Sequence, residues 1–298
     1  METGITSKRG AVGTIIIAII FVSISILQSY LNNETSVVFC DVGQGDATYI
    51  RLANKTDVLI DAGPDRKVLQ CLGKYMPFFD KTIELAFISH PQKDHFGGFE
   101  HILDRYSIDL LILNPLNNKA LSYQKLLEKL DQKKVKLKSL YQGDAIDLNN
   151  AKISIYWPER SYLEKSIYKT TAVSHGFRVN DVLLNLNKFS YVFTFEEDNK
   201  SILFTGDIDK EISNKISNYL PRFNRGLGHI NILKVPHHGS KNGATKKFID
   251  KVKPKISIIN VGKNNSYGHP NKEILDLLNN VNSIIKRTDK EGDVVIKL

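Results

Sequence analysis

The run Leu85-Ala86-Phe87-Ile88-Ser89-His90-Pro91-Gln92-Lys93-Asp94-His95-Phe96-Gly97-Gly98 decides how this chain is read. Its first part is a short apolar run of the kind that forms a buried strand, over 85–89. The second part places His90, Gln92, Asp94 and His95 close together at the end of that strand. A metal site needs several lone-pair donors converging on one point, and a sharp turn after a strand delivers them from one short segment. Gly97 and Gly98 let the backbone turn tightly before a helix begins near Phe99. Taken alone, such a loop reads more often as a polar turn after a buried strand.

Other segments repeat the arrangement. Asp41-Val42-Gly43-Gln44-Gly45-Asp46-Ala47 follows the first strand, and its turn is able to aim Gln44 or Asp46 into a cleft; an ordinary hairpin is the alternative. Leu59-Ile60-Asp61-Ala62-Gly63 ends a strand in a carboxylate, which can hold a ligating histidine from behind or cap the helix after Pro64. Ile202-Leu203-Phe204-Thr205-Gly206-Asp207 ends another in Gly-Asp, and a carboxylate has two oxygens with which to bridge ions. Val235-Pro236-His237-His238-Gly239-Ser240 ends a further apolar run in paired histidines. Tyr267-Gly268-His269-Pro270 stands between a strand and a helix, where His269 also suits a cap because Pro270 suits the first helical position. Metal-type residues that repeatedly terminate apolar strands are how a sheet scaffold builds a rigid site. The recurrence favours ligation for His90, Asp94, His95, Asp207 and His237. His175 and His229 read as loop or surface residues, and His101 as a packed or solvated helix residue.

The chain has 298 residues with 42% hydrophobic content, enough for one large domain or two small ones. Its formal charge is +9, which favours an anionic substrate or surface; a lysine-rich solvated surface is the plain alternative. Only Glu2, Lys8 and Arg9 are charged before Glu34, so the basic excess belongs to the remainder. Cys40 and Cys71 make no disulfide framework; Cys40 reads as a small core residue, with a single bridge to Cys71 as the alternative. From Ala11 to Tyr30 there is no charged side chain. Twenty helical residues span roughly 30 Å, the thickness of a bilayer core. Lys8 and Arg9 precede this segment, so the positive-inside rule keeps 1–10 in the cytoplasm, makes 11–30 a single-pass membrane anchor and places the chain beyond it outside. A cleaved signal peptide, with Ser23-Ile24-Ser25 as a weak cleavage candidate, is the alternative. A buried cytosolic helix ranks third.

After residue 36 short β-rich runs alternate with helical stretches. Strands are expected at 37–41, 47–52, 57–60, 85–89, 110–113, 152–156, 182–187, 191–195, 201–204, 230–235, 256–261, 283–286 and 294–298. Helices are expected at 66–75, 99–105, 121–133, 210–218, 245–251 and 272–280. The pattern of the first half recurs in the second, which implies two packed sheets with helices on their outer faces. Residues 158–178 are the least patterned and read as a long loop near the site.

In order along the chain, the segments 41–47, 59–63, 89–98, 204–207, 234–240 and 268–270 resemble the metallo-β-lactamase-like superfamily, and within it the hydrolase domain of the ComEC-type competence proteins. The resemblance covers most of 36–298. It implies an α/β (α+β) fold, an αββα sandwich with a metal site at one edge of the paired sheets, here preceded by one N-terminal transmembrane helix. It further implies one or two divalent ions, zinc or manganese. By this resemblance His90 and Gln92 serve a first metal and Asp94 and His95 a second; Asp207 bridges them, and His237 and His269 complete the coordination. His238 stands behind the ligands or contacts a phosphate, Asp61 is the strand-end aspartate beside the site, and Asp46 backs it. The superfamily has His at position 92 and ComEC-type domains often Asp, so the neutral Gln92 departs from the pattern. An amide oxygen is the weaker ligand, which implies a loosely held first ion, a harder ion such as manganese, or one metal. The large multi-helix channel of ComEC-type proteins has no counterpart in the one candidate span, so DNA translocation does not carry over.

The leading expectation is therefore metal-dependent phosphoester hydrolysis outside the membrane, most readily of nucleic acid in connection with DNA uptake. Asp94 would orient the attacking hydroxide and His238 would assist. Lys241, Lys246 and Lys247 come after the paired histidines; Lys241 in particular is placed to meet phosphates, and a solvated helix face is the alternative. Hydrolysis of phosphodiesters on cell-envelope polymers is a second reading and β-lactam hydrolysis a weaker third. A non-catalytic DNA-binding module with a degenerate site is the reading that Gln92 feeds.

Overall fold

The computed structural model describes residues 12–24, 34–53, 55–174 (backbone alone for 172–174), 177–220 and 230–298. The expected cytoplasmic terminus 1–10, residues 11 and 25–30 of the apolar segment, His175 and His229 lie outside the described residues. Residues 12–24 form a helix, α1, with Ile15, Ile16, Ile17 and Phe21 exposed. No helix among the described residues is long and apolar enough to cross a membrane.

The strands are β1 (Ser36–Phe39), β2 (Ala47–Leu52), β3 (Thr56–Ala62), β4 (Thr82–Ile88), β5 (Ser107–Leu113), β6 (Lys136–Lys138), β7 (Ala145–Leu148) and β8 (Ala151–Trp157). Beyond them come β9 (Ile167–Ser174), β10 (Phe177–Val182), β11 (Val192–Glu197), β12 (Lys200–Phe204), β13 (Ile232–Lys234), β14 (Ile256–Ile259), β15 (Ile284–Arg287) and β16 (Val294–Lys297). The helices after α1 are α2 (Val68–Tyr75), α3 (Lys93–Phe96), α4 (Phe99–Ile102), α5 (Leu121–Gln132), α6 (Arg160–Glu164), α7 (Lys210–Ile216), α8 (Lys246–Val252), α9 (Lys272–Asn280) and α10 (Thr288–Glu291).

One sheet has the order β16-β1-β2-β3-β4-β5-β6 and the other β15-β14-β13-β12-β11-β8-β7. In each, a block of parallel strands adjoins an antiparallel one: β3 to β6 in the first and β12 to β15 in the second run parallel. Parallel strands covered on both faces read as continuous apolar runs, which explains Leu85–Ile88 and Ile202–Phe204. Between the sheets, Phe39, Ile50 and Phe87 meet Ile153, Phe193 and Phe204, and the rings of Phe87 and Phe193 stack at 4.8 Å. The outer face of the first sheet is covered through Leu72, Ile102, Leu126 and Leu130 from α2, α4 and α5. That of the second is covered through Ile212, Phe248, Ile274 and Leu278 from α7, α8 and α9. The result is the αββα layering that the alternating pattern and the resemblance imply.

Two expectations change. Residues 158–178 are not one long loop: they hold α6 and β9, and β9 pairs antiparallel with β10. Its polar, threonine-rich sequence hides a ribbon that only partly enters the core. The strand expected at 182–187 ends at Val182, and Leu186–Phe189 is a single helical turn capped by Asn185. Cys40 is in the core as read, and it is also bridged to Cys71, tying β1 to α2 with Cα atoms 5.9 Å apart. Closing a loop with a sequence separation of 31 contributes about 3–4 kcal/mol in the chain-entropy account.

Sheet direction sets where chemistry can gather. The parallel strands β3 and β4 point their C-terminal ends to the same edge as β12, β13 and β14. Sites in parallel sheets form just beyond those ends.

Candidate metal centre

Asp61 closes β3 with a positive φ of 57° and receives both donors of Ser89: the backbone N–H reaches Oδ1 at 2.7 Å and the hydroxyl Oδ2 at 2.7 Å. The same Oδ2 lies 2.8 Å from His95 Nδ1. A carboxylate held against Nδ1 makes that nitrogen the N–H and leaves Nε2 as the lone pair. His238 is set the same way: its Nδ1 is 3.0 Å from the Asn260 carbonyl oxygen and 3.2 Å from Asp46 Oδ1. A carbonyl can only accept, so Nδ1 of His238 carries the hydrogen.

Both Nε2 atoms point at Asp207. His95 Nε2 and His238 Nε2 are each 3.3 Å from Asp207 Oδ2, and His238 Nε2 is 3.4 Å from Asp94 Oδ2. One ligand atom from each of Asp94, His95, Asp207 and His238 lies within 4.8 Å of the others. None of His90 Nε2, His95 Nε2, His238 Nε2 or Asp207 Oδ1 has a hydrogen-bond partner, although all are buried. Lone pairs that face one another in a dry pocket repel unless a cation stands between them or the rings are protonated. The electrostatics say the same. Burial opposes charge on His95 and His238, yet Asp207, with Asp61 beside one ring and Asp46 beside the other, holds both imidazoles well above their ordinary range. Burial likewise raises Asp207, and His238 and His95 overcome it to hold its carboxyl well below the usual range. The residues present therefore fit a divalent cation, with imidazole and carboxylate donors suited to zinc or manganese.

Backbone geometry delivers these side chains. The Pro236–Gly239 turn puts both His237 (φ 51°) and His238 (φ 52°) in the left-handed region. For residues with a Cβ this costs about 1–2 kcal/mol each, and such strain persists only where the surroundings impose it. The turn is held by the His237 N–H donating to the Gly206 carbonyl at 3.1 Å. Gly206 itself has φ 48°, and a Cβ there would lie 2.8 Å from the Ser190 Cβ. Gly45 is as constrained: a Cβ would sit 2.3 Å from the Asp94 carbonyl oxygen. That approach lets the Asp46 N–H donate to the same oxygen at 3.1 Å, locking the first turn against the metal-type loop.

The remaining sequence-predicted residues fall around this core. His90 is buried beside His95, ring centroids 4.2 Å apart; burial and then His95 lower its pKa to about 3, so it stays neutral. Its Nδ1 lies 3.1 Å from the Ser89 hydroxyl. His237 is half-buried, 3.9 Å from Asp207 Oδ2 through Nε2, and its ring meets His269 edge-on at 5.9 Å. Burial, joined by His238 and His237, lowers His269 to about 4. The pair therefore lines the rim, while His238, expected behind the ligands or against a phosphate, joins Asp94, His95 and Asp207 in the convergent four. The Gln92 side-chain amide donates to the Asn187 Oδ1. Lys241 is exposed and does not line the cavity of about 580 Å³ that opens over Asp94, His237 and His238; Lys67 and Lys93 do.

Sequence reasoning missed Lys234. It is buried at the end of β13, its ammonium paired with Asp46, 3.3 Å from the Gly206 carbonyl oxygen and 3.8 Å from Asp207 Oδ1. A lysine that ends the apolar run Ile230–Lys234 is the available signal, because charge in a buried strand requires a partner.

Two facing sheets with an Asp/His cluster at one edge define a metal-site protein of the metallo-β-lactamase fold. The fold is shared with the metallo-beta-lactamase fold protein YhfI from Bacillus subtilis, at a TM-score of 0.55 and 10% identity over 89% of this chain and 100% of that one. It is shared also with Zn(2+)-bound PqqB from Methylobacterium extorquens, at a TM-score of 0.51 and 8% identity over 88% and 100%. By sequence, the chain is 26% identical over 281 residues to ComE operon protein 3 of Bacillus subtilis, covering 89% of this chain and 33% of that protein. It is 26% identical over 258 residues to Recombination protein 2 of Haemophilus influenzae, covering 85% and 28%. No family model matches the chain. The chain is thus a homologue of the ComEC-type competence proteins and spans about a third or less of the length of these curated relatives.

Proposed function

We propose that this protein is a metal-dependent phosphodiesterase acting on nucleic acid. The observation that carries this reading is the convergence of Asp94, His95, Asp207 and His238 with unpartnered, buried Nε2 atoms. These four, with His90 close by, would hold the ion, and His237 and His269 stand where a second would be held more loosely. When bound, a divalent cation supplies Lewis acidity and makes a nucleophile available from water at neutral pH. Asp94 is the most exposed of the four at the cavity, with a third of its side chain open (32%). Burial pushes its carboxyl up, but His238 and His95 outweigh that and keep it ionised, so it accepts a hydrogen bond from the attacking water and aims it. His238, pinned through Nδ1, keeps its Nε2 on Asp94 and Asp207. Lys67 and Lys93 at the rim attract the polyanion.

The competence-protein relatives support nucleic acid over other phosphodiesters. The Cys40–Cys71 bridge supports an oxidising, extracytoplasmic setting for the domain over 36–298, with the apolar segment 11–30 as its membrane anchor and 1–10 inside. The Gln92–Asn187 pairing favours a second reading in one respect: the amide at position 92 is committed to a protein partner, and the site works with one ion.

The test uses the full chain in detergent with fluorescent single- and double-stranded DNA and Mn²⁺ or Zn²⁺. Metal-dependent cleavage is expected. A folded protein that cleaves neither substrate with either metal would end the nuclease assignment. Protease accessibility of the domain from outside intact cells tests the orientation; protection there contradicts it.

A further inference from the structure

Beside the charged cluster, the cavity carries an aromatic that the chemistry above leaves unused. Tyr267 lines the same cavity as Asp94 and His238 and is 70% exposed. One face of its ring stacks on His269, centroids 5.7 Å apart and planes 24° from parallel. The opposite face is open. A lone exposed aromatic is unremarkable, but the loop that carries this one is held in place. Asn265 Nδ2 donates to the carbonyl oxygens of Gly262 (3.0 Å) and His269 (2.8 Å), and the His269 N–H donates back to Asn265 Oδ1 at 3.0 Å. The Gly262 N–H in turn donates to Gln44 Oε1 at 3.2 Å, joining the loop to the turn that carries Asp46. A flat ring, stacked on His269 and carried by a tied loop, stands next to the groups that would handle a phosphate.

We propose that Tyr267 is a stacking platform for a nucleobase next to the scissile phosphate, and that the preferred ligand of this site is a single-stranded polynucleotide. The proposal rests on the nucleic-acid reading above and deepens it. Every base offers a π-face, so stacking on a tyrosine is tolerant of sequence, while Lys67 and Lys93 contact the backbone without reading it. In a duplex the bases already stack on one another, and only an unpaired strand presents a free face without the cost of unstacking. The ring resting on His269 gains a rigid backing, which keeps the entropic cost of binding low. Tyr267 is a specificity-determining residue on this reading and takes no part in the reaction.

The test measures equilibrium binding of the full chain in detergent, in the presence of Ca²⁺, by fluorescence anisotropy. The probes are a labelled oligothymidylate of about ten nucleotides, the same strand carrying abasic sites, and the matching duplex. The wild type is expected to bind the base-containing strand about tenfold more tightly than the abasic one. Y267A is expected to lose that margin and to bind the two alike, and Y267F to keep it. Tighter binding of duplex, equal binding of base-containing and abasic strands by the wild type, an unchanged margin in Y267A, or no binding of any probe each overturns the proposal. Absence of cleavage by the wild type in the earlier assay contradicts the hydrolase reading alone, because this comparison needs no turnover.

Discussion

The imidazoles of His95 and His238 are fully buried, and each has its Nδ1 fixed by an acceptor, Asp61 or the Asn260 carbonyl. Those of His237 and His269 stand half-buried at the cavity rim, and neither Nδ1 has a partner. The titration behaviour divides the same way. Carboxylates hold the inner pair up against burial, whereas burial and neighbouring imidazoles push the outer pair down. The inner imidazoles are thus oriented by protein acceptors, and the outer ones have no such acceptor at Nδ1. Preorganised donors bind tightly because little ordering remains to be done. The proposed function accordingly implies one tight inner position and one weak outer position.

Removing the inner carboxylate should be the most damaging change. Asp207→Asn leaves His95 and His238 facing an amide and is expected to lower DNA cleavage on the order of a thousandfold, read as initial rates on labelled DNA. Retention of most of the activity would mean that the inner cluster is not the reaction centre.

A smaller loss separates the two pairs directly. Asp61→Asn removes the acceptor that orients His95 and should weaken metal binding about 10–100-fold, while His269→Ala should change it only a few-fold. Isothermal titration with Mn²⁺ measures both, and equal losses would erase the distinction between inner and outer positions.

The pH dependence comes from the raised inner imidazoles. In metal-free protein the raised His95 and His238 hold their protons to higher pH than an ordinary imidazole, so an ion must displace those protons and its affinity rises with pH. The sign for stability is the reverse without metal. A histidine whose folded pKa lies above its unfolded value stabilises fully below the unfolded pKa, near 6.5, and loses that contribution as pH rises through the raised folded value. Chelated protein is therefore expected to melt at lower temperature as pH climbs from neutral into the alkaline range, and loaded protein is not. Parallel melting curves for the two forms would contradict this. The smallest effect expected is from Gln92→Asp, which offers a carboxylate in place of an amide and should tighten a second, weak Mn²⁺ site a few-fold while leaving the first unchanged.

Much of this centre is legible in the sequence, for a physical reason: apolar strands that end in His, Asp or Gly-Asp announce both the strand and the chemistry it carries. Asp61 behind a histidine and the cluster of Asp94, His95 and Asp207 emerge from that pattern. The division between His237 and His238 does not, because it depends on two consecutive left-handed residues, which strand periodicity cannot foresee. Lys234 is hidden because a single lysine at a strand end looks like surface until its carboxylate partners, far off in sequence, are placed beside it. The β9–β10 ribbon is hidden by its polar composition, and the Cys40–Cys71 bridge because two cysteines in a sequence do not reveal whether they come within bonding distance.

The most direct test of the inner-site claim is the metal bound per chain after equilibrium dialysis of the full-length protein against a trace of Mn²⁺ or Zn²⁺, compared for wild type, His238→Ala and His237→Ala. About one tightly held ion is predicted in the wild type, with its retention in His237→Ala and its loss in His238→Ala. A folded wild type that holds no ion, or a His238→Ala protein that binds as tightly as the wild type, would contradict the claim.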